Sequence, residues 1–159
     1  MGATITTNAS AADQGIAGKG YVHPEVLVST AWLAEHLDDP SIRIIESDED
    51  VLLYDTGHIP GAVNVDSATF YDAKTNRLKP QAELASLAAS AVPLGPTVAY
   101  CNTGHWAATD WFVLSEVLGR KDVKLYYGSM VDWTSDASRP LASARTKWDD
   151  LKKKLGFGS

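Results

Sequence analysis

The chain predicts an α/β fold: a mostly parallel sheet with helices on both faces. Three observations carry that reading. Short apolar runs alternate with helical segments from Val26 to Trp133, the pattern of strands joined by helical crossovers. Turn-forming stretches punctuate them at Asp38-Asp39-Pro40, Gly57-His58-Ile59-Pro60-Gly61 and Pro93-Leu94-Gly95-Pro96, where glycine and proline break regular structure. The only cysteine, Cys101, falls between the apolar run Pro96 to Tyr100 and the alanine-, leucine- and aromatic-rich run Ala107 to Leu118. It therefore stands where a strand ends and a loop turns into a helix.

In chain order, residues 1–20 are small, polar and glycine-containing, without periodicity; they read as a flexible leader before an ordered domain over 21–142. Val26-Leu27-Val28 is a short strand. Ser29 caps a helix from Thr30 to Leu37 whose Trp32, Leu33 and Leu37 share a face, with His36 a solvated position near its end. Ile42 to Glu46 is a β-branched strand. The acidic run Glu46, Asp48, Glu49, Asp50 reads as a solvated loop at the strand end, without the spacing of a calcium loop. Val51 to Val65 combines a helical turn, a glycine/proline turn and a strand from Ala62 to Val65; His58 within that turn reads as a structural hydrogen-bonder.

Asp66 to Lys79 is polar and turn-rich, a long surface connection. Pro80 suits the first position of a helix over Gln81 to Ala91, with Leu84, Leu87 and Ala88 as its buried stripe. After the helix that follows Cys101, Gly119 supplies a stop. Val123 to Tyr126 is a strand, Tyr127-Gly128-Ser129 a turn, and Met130 to Trp133 a short helix. Within 143–159, Trp148, Leu151 and Leu155 recur at helical spacing opposite Lys147, Lys152, Lys153 and Lys154, as in a C-terminal helix packed on the domain.

Composition narrows the function. The 159 residues suffice for one domain with a real core. A net charge of −6 argues against nucleic acid or an anionic membrane surface as partner, and no apolar run is long enough to span a bilayer. One cysteine excludes an internal disulfide and a cysteine-cluster metal site; no metal and no cofactor are expected. No signal peptide is visible, but Met1-Gly2 and the Thr/Ala/Ser-rich stretch after it also suit a start placed behind a removed signal. The compartment stays open between cytoplasm and periplasm.

In open parallel sheets, sites form outside the carboxyl ends of strands, where Cys101 stands. The first N–H groups of the following helix lack intrahelical partners and carry partial positive charge. A loop wrapped over that terminus aims further N–H groups at one point, a setting that stabilises a thiolate and makes it a nucleophile.

Three segments together, Gly57-His58-Ile59-Pro60-Gly61-Ala62, Tyr100-Cys101-Asn102-Thr103-Gly104-His105-Trp106-Ala107 and Tyr127-Gly128-Ser129-Met130-Val131-Asp132-Trp133, resemble the rhodanese (thiosulfate sulfurtransferase) family over about Tyr21 to Leu141. The resemblance implies a single three-layer α/β/α rhodanese-like domain around a five-stranded, mainly parallel sheet. It implies a sulfurtransferase in which Cys101 is the catalytic nucleophile. Cys101 takes a sulfane sulfur from thiosulfate, 3-mercaptopyruvate or a persulfide and passes it to a thiol, to cyanide or to a protein acceptor. Asn102, Thr103, Gly104, His105, Trp106 and Ala107 would form the substrate-binding loop, with backbone N–H groups around the persulfide and Ala107 opening the helix. This chain departs from the family in three places. His105 and Trp106 replace the arginine, lysine or threonine often found late in this loop. Glu46-Ser47-Asp48 stands where many members carry Asp-x-Arg, and Leu53 where they carry the matching glutamate; a similar acidic run occurs in the inactive front halves of two-domain rhodaneses.

Two other function classes bear on the same loop. A cysteine phosphatase or arsenate reductase needs an arginine closing a loop one residue longer, but Trp106 and Ala107 occupy those places. A non-enzymatic sulfur carrier or persulfide-binding module, with little turnover, fits the missing arginine–glutamate pair. The loop also carries no fixed cation: Asn102, Thr103 and Gly104 are neutral and His105 is its only titratable residue. Poor use of the thiosulfate dianion follows.

Overall fold

The computed structural model describes residues 13–48 and 51–143. The helix expected within 143–159 therefore lies outside the described residues from 144 onward, as do Glu49 and Asp50. Four strands, β1 (Arg43–Asp48), β2 (Ala62–Asp66), β5 (Thr97–Tyr100) and β6 (Val123–Leu125), form one sheet in the order β2-β1-β5-β6. Every ladder in it is parallel, with Ile45 opposite Val63 on one side and Ala99 on the other. The connections run through helices α1 (Thr30–Glu35), α2 (Val51–Thr56), α3 (Gln81–Ala91), α4 (His105–Phe112) and α5 (Ser129–Trp133).

The expected fifth strand is reduced to one bridge, Leu27 beside Leu125, closed by the Val28 N–H on the Leu125 carbonyl at 3.0 Å. The cause is local. Pro24 opens a 3₁₀ turn over Pro24–Val26, and Ser29 already caps α1, its hydroxyl accepting from the Trp32 N–H at 3.2 Å. Two extended residues between a turn and a cap are too few for a ladder.

Side chains of the central strands alternate between the faces, as strand geometry requires. Ile45, Ala99 and Cys101 join Leu84, Ala88, Ala107, Val113 and Leu114 under α3 and α4. Ile44, Val98 and Tyr100 join Leu33, Tyr126 and Trp133 under α1 and α5. Each fully buried aliphatic side chain contributes about 1.5–3 kcal/mol, so both layers hold the sheet.

Four regions differ from expectation. Among the described residues, those before 21 are already packed: Asp13 accepts from the Ser29 backbone N–H and, at 2.8 Å, from its hydroxyl, and Ile16 is buried. The connection from Asp66 to Lys79 holds a 3₁₀ turn over Ser67–Phe70, with Phe70 buried, and a hairpin of β3 (Tyr71–Asp72) and β4 (Arg77–Leu78). The helix after Cys101 begins at His105, two residues before Ala107, because Gly104 caps it; it widens into a π turn over Val113–Val117. His36 is half-buried and not solvated, stacked on Trp32 at 3.9 Å with its Nδ1 2.7 Å from the Trp32 carbonyl. Of the other helices, α1 stops at Glu35 and not at Leu37, α5 takes in Ser129 from the expected turn, and α3 spans Gln81–Ala91 as read. His58 makes the structural bonds expected of it: it stacks on Tyr54, meets the Tyr54 carbonyl through Nδ1 at 2.8 Å, and bridges Ala142 through its backbone.

Candidate active site

Cys101 lies one residue past the end of β5 and is wholly buried. Its Sγ accepts the Gly104 N–H at 3.0 Å. Gly104 is the N-cap of α4, with φ +89°. A side chain there would bring Cβ within 2.6 Å of the Tyr127 carbonyl, so glycine is required twice, by conformation and by space. The loop is thereby folded tightly enough to turn a capping N–H onto the sulfur.

The far side of the loop is held by the turn that leads into α5. The Cys101 N–H donates to the Ser129 hydroxyl at 3.1 Å, and Ser129 donates onward to the Tyr126 carbonyl at 3.1 Å. The Met130 and Val131 N–H groups take the Cys101 and Asn102 carbonyls, each at 3.0 Å. Ser129 is buried and sits at φ +51°, a conformation costly for a residue with a side chain. These bonds offset that cost.

The near side is held by β1. Glu46, Ser47 and Asp48 are buried, not solvated as their acidic run suggests. The Tyr100 hydroxyl donates to Glu46 at 2.6 Å and accepts the Ile59 N–H at 2.9 Å. Asn102 donates to Asp48 at 2.6 Å. On the other face Ser47 donates to Asp110 of α4 at 2.5 Å. The residues before and after Cys101 are thus each tied to a carboxylate two positions apart on one strand, and the helix behind it is tied to the residue between them. Period-two alternation along β1 produces this division.

Two of those carboxyls carry unusual proton affinities. Burial pushes Glu46 up to about 7, with Asp48 adding in the same direction and the Tyr100 hydrogen bond opposing both. Burial likewise pushes Asp110 up to about 7, opposed by the hydroxyls of Ser47 and Ser67. Glu46 Oε1 and Asp110 Oδ1 have no hydrogen-bond partner, as suits carboxyls that keep a proton near neutrality. Tyr100 is raised as well, by burial first and then by the Glu46 charge.

The expected loop residues divide into three groups. Thr103, Gly104 and His105 line a shallow depression of about 470 Å³ together with Ala108 and Tyr127. Asn102 turns inward to Asp48. Trp106 and Ala107, in the first turn of α4, pack against the core, with Trp106 edge-on to Tyr71 at 6.1 Å. Asp48, Ser129 and Tyr127 were missed as site residues. The Tyr127-Gly128-Ser129 turn carried a signal for the last two. Among the described residues no group of three or more histidine, cysteine or acidic side chains is placed to hold a metal ion.

Comparison with known proteins agrees with this architecture. The family model for the rhodanese-like domain matches residues 29–136. The sulfur carrier protein TtuD of Thermus thermophilus is 42% identical over 127 residues, which make up 78% of this chain and 44% of that protein. The putative thiosulfate sulfurtransferase SseA of Mycobacterium tuberculosis is 35% identical over 132 residues, 80% of this chain and 44% of that one. Among solved structures, the 3-mercaptopyruvate sulfotransferase SseA of Escherichia coli superposes with a TM-score of 0.62 at 27% identity, covering 76% of this chain and 52% of its own. The chain spans less than half the length of these two curated relatives.

Proposed function

Because the chain belongs to the rhodanese-like domain family, we propose that it moves a sulfane sulfur from a donor to a thiophilic acceptor through a persulfide on Cys101. The observation that supports this most is the Gly104 N–H placed 3.0 Å from Sγ, at a position with no room for a side chain. An N–H at a helix start stabilises negative charge on sulfur, both on the thiolate and on the persulfide anion that follows it.

The chemistry balances with thiosulfate as donor. The Cys101 thiolate attacks the outer sulfur, an S–S bond forms to Cys101, and the donor's own S–S bond breaks with sulfite carrying off the electron pair. A thiolate or cyanide then attacks the terminal sulfur of the persulfide. The Cys101 thiolate leaves with its electron pair and is regenerated. Neither step requires an oxidant or a cofactor. The depression lined by Thr103, Gly104, His105, Ala108 and Tyr127 is the entry side for donor and acceptor, and a thiol, cyanide or a protein thiolate serves as acceptor.

A sulfur carrier with little turnover is the second reading. The complete burial of Cys101 favours it, as does the likeness to the Thermus sulfur carrier protein. Intact mass after incubation with thiosulfate, 3-mercaptopyruvate and glutathione persulfide in turn tests the first step: one added sulfur is expected, and its loss in Cys101→Ser locates it. No sulfur gain with any donor overturns the persulfide. Turnover with excess donor and cyanide then separates enzyme from carrier.

A further inference from the structure

The segment before residue 21 brings a cation to the side chain of Tyr127. Asp13 clips it onto Ser29, Gly15 packs so closely that a Cβ would lie 2.5 Å from the Ser29 Cβ, and Ile16 is buried. Lys19 follows between two glycines in the left-handed region, Gly18 at φ +83° and Gly20 at φ +78°, a turn that few other residues could flank. Its ammonium donates to the Tyr127 hydroxyl at 3.0 Å and stands 5.8 Å from the centre of that ring. The Tyr21 ring meets Tyr127 at 6.1 Å. Tyr127 lines the depression, and its carbonyl packs against Gly104, whose N–H holds the Cys101 sulfur. Among the described residues no carboxylate lies within ion-pair distance of Lys19.

We propose that Lys19 is the donor-recruiting residue of this site, drawing small anionic sulfur donors to the Tyr127 side of the Cys101 loop. The proposal rests on the persulfide reading for the nature of the donor but not for the electrostatics. It supplies from a distant segment the cation that the loop itself lacks. An exposed charge held on a residue that lines a depression raises the local concentration of anions and is screened by salt.

Two alkylating agents of nearly equal shape test it. Iodoacetate is an anion and iodoacetamide is neutral, and Cys101 is the sole thiol. In Lys19→Gln the ratio of iodoacetate to iodoacetamide rates at low ionic strength should fall by about threefold, and the difference should vanish near roughly 0.5 M salt. Lys19→Arg should retain the ratio. A residue that only braces the segment would change both rates together, so an unchanged ratio in Lys19→Gln overturns the proposal. Thiosulfate loading, followed by mass, should slow in Lys19→Gln to a similar extent. If the alkylation ratio moves as expected while the wild type gains no sulfur from any donor, the persulfide reading fails and Lys19 still stands as the cation of the site.

Discussion

The two ends of the sheet differ in a way that size conceals. At the amino ends of the strands lies a cleft of about 1220 Å³, walled by Trp32, His36, Ile42, Pro96, Asp122 and Lys124 among others. Its aromatic surface is already used: Trp32 stacks on His36 and lies under the Lys124 ammonium, 5.9 Å from the ring centre. At the carboxyl ends the depression is less than half that volume, yet buried carboxyl oxygens there lack partners and a thiol sits under a helix cap. Chemistry gathers where polar groups are desolvated and strained backbone is held by bonds from several elements. A roomy cleft with satisfied walls does not mark such a place.

The sharpest way to break this contrast is to make one substitution at each end. Gly104→Ala forces a Cβ to within 2.6 Å of a carbonyl at φ +89°, whereas Gly95→Ala at φ +105° meets nothing closer than the Ser41 carbonyl at 3.8 Å. The left-handed conformation alone costs about 1–2 kcal/mol. Gly95→Ala should lose about that much in a denaturant titration and keep its sulfur loading. Gly104→Ala should lose more stability and drop persulfide formation by at least about a hundredfold, the equivalent of roughly 2.7 kcal/mol in the barrier. Equal loading by the two variants would dissolve the distinction between the ends.

The next effect is one of pH. Glu46 and Asp110 hold their protons to about 7 in the folded chain, while unfolded carboxyls release them near about 4. The folded state binds more protons across that window, so these groups favour folding below about pH 4 and stability declines as pH rises to about 7, then levels. Each contributes at most about 1.4 kcal/mol per pH unit. Glu46→Gln and Asp110→Asn should flatten the decline measured by urea midpoints between pH 5 and 8. A curve of unchanged slope in both variants would show that neither carboxyl is a proton store.

A smaller effect is expected from the brace on Asn102. Asp48→Ala removes the acceptor at 2.6 Å, and losing a hydrogen bond to a charged group costs about 1.5–3 kcal/mol. Loading of Cys101 should slow by about tenfold. Trp32→Phe at the opposite end should cost about 1 kcal/mol of stability and leave the loading rate within about twofold.

How much of this could be read in the sequence depended on how local each cause is. Gln81–Ala91 was legible because proline, alanines and a leucine stripe decide a helix within one segment. The strand–loop–helix around Cys101 was legible for the same reason. Glu46 and Asp48 were misread because an acidic run in isolation looks solvated. Their burial follows from β1 lying between β2 and β5, and strand order is a property of the assembled sheet. Residues 13–20 were misread as a leader because their single apolar anchor, Ile16, shows no periodicity, and their other attachment, Asp13 on Ser29, is a contact between distant residues. The hairpin within Asp66–Lys79 was hidden by strands of two residues each.

The braces from β1 also fix when the site can come into being. The Glu46–Tyr100 and Asp48–Asn102 bonds each join residues 54 apart in sequence, and β1 and β5 pair only in parallel. Closing a loop of that length costs entropy before any ladder rewards it, which makes parallel pairing a slow step. The thiol is therefore bare while the chain is being made and while it collapses. It becomes enclosed only when its upstream strand docks. Reactivity of Cys101 toward a small thiol reagent, followed through refolding, is thus a clock for the docking of β1 on β5.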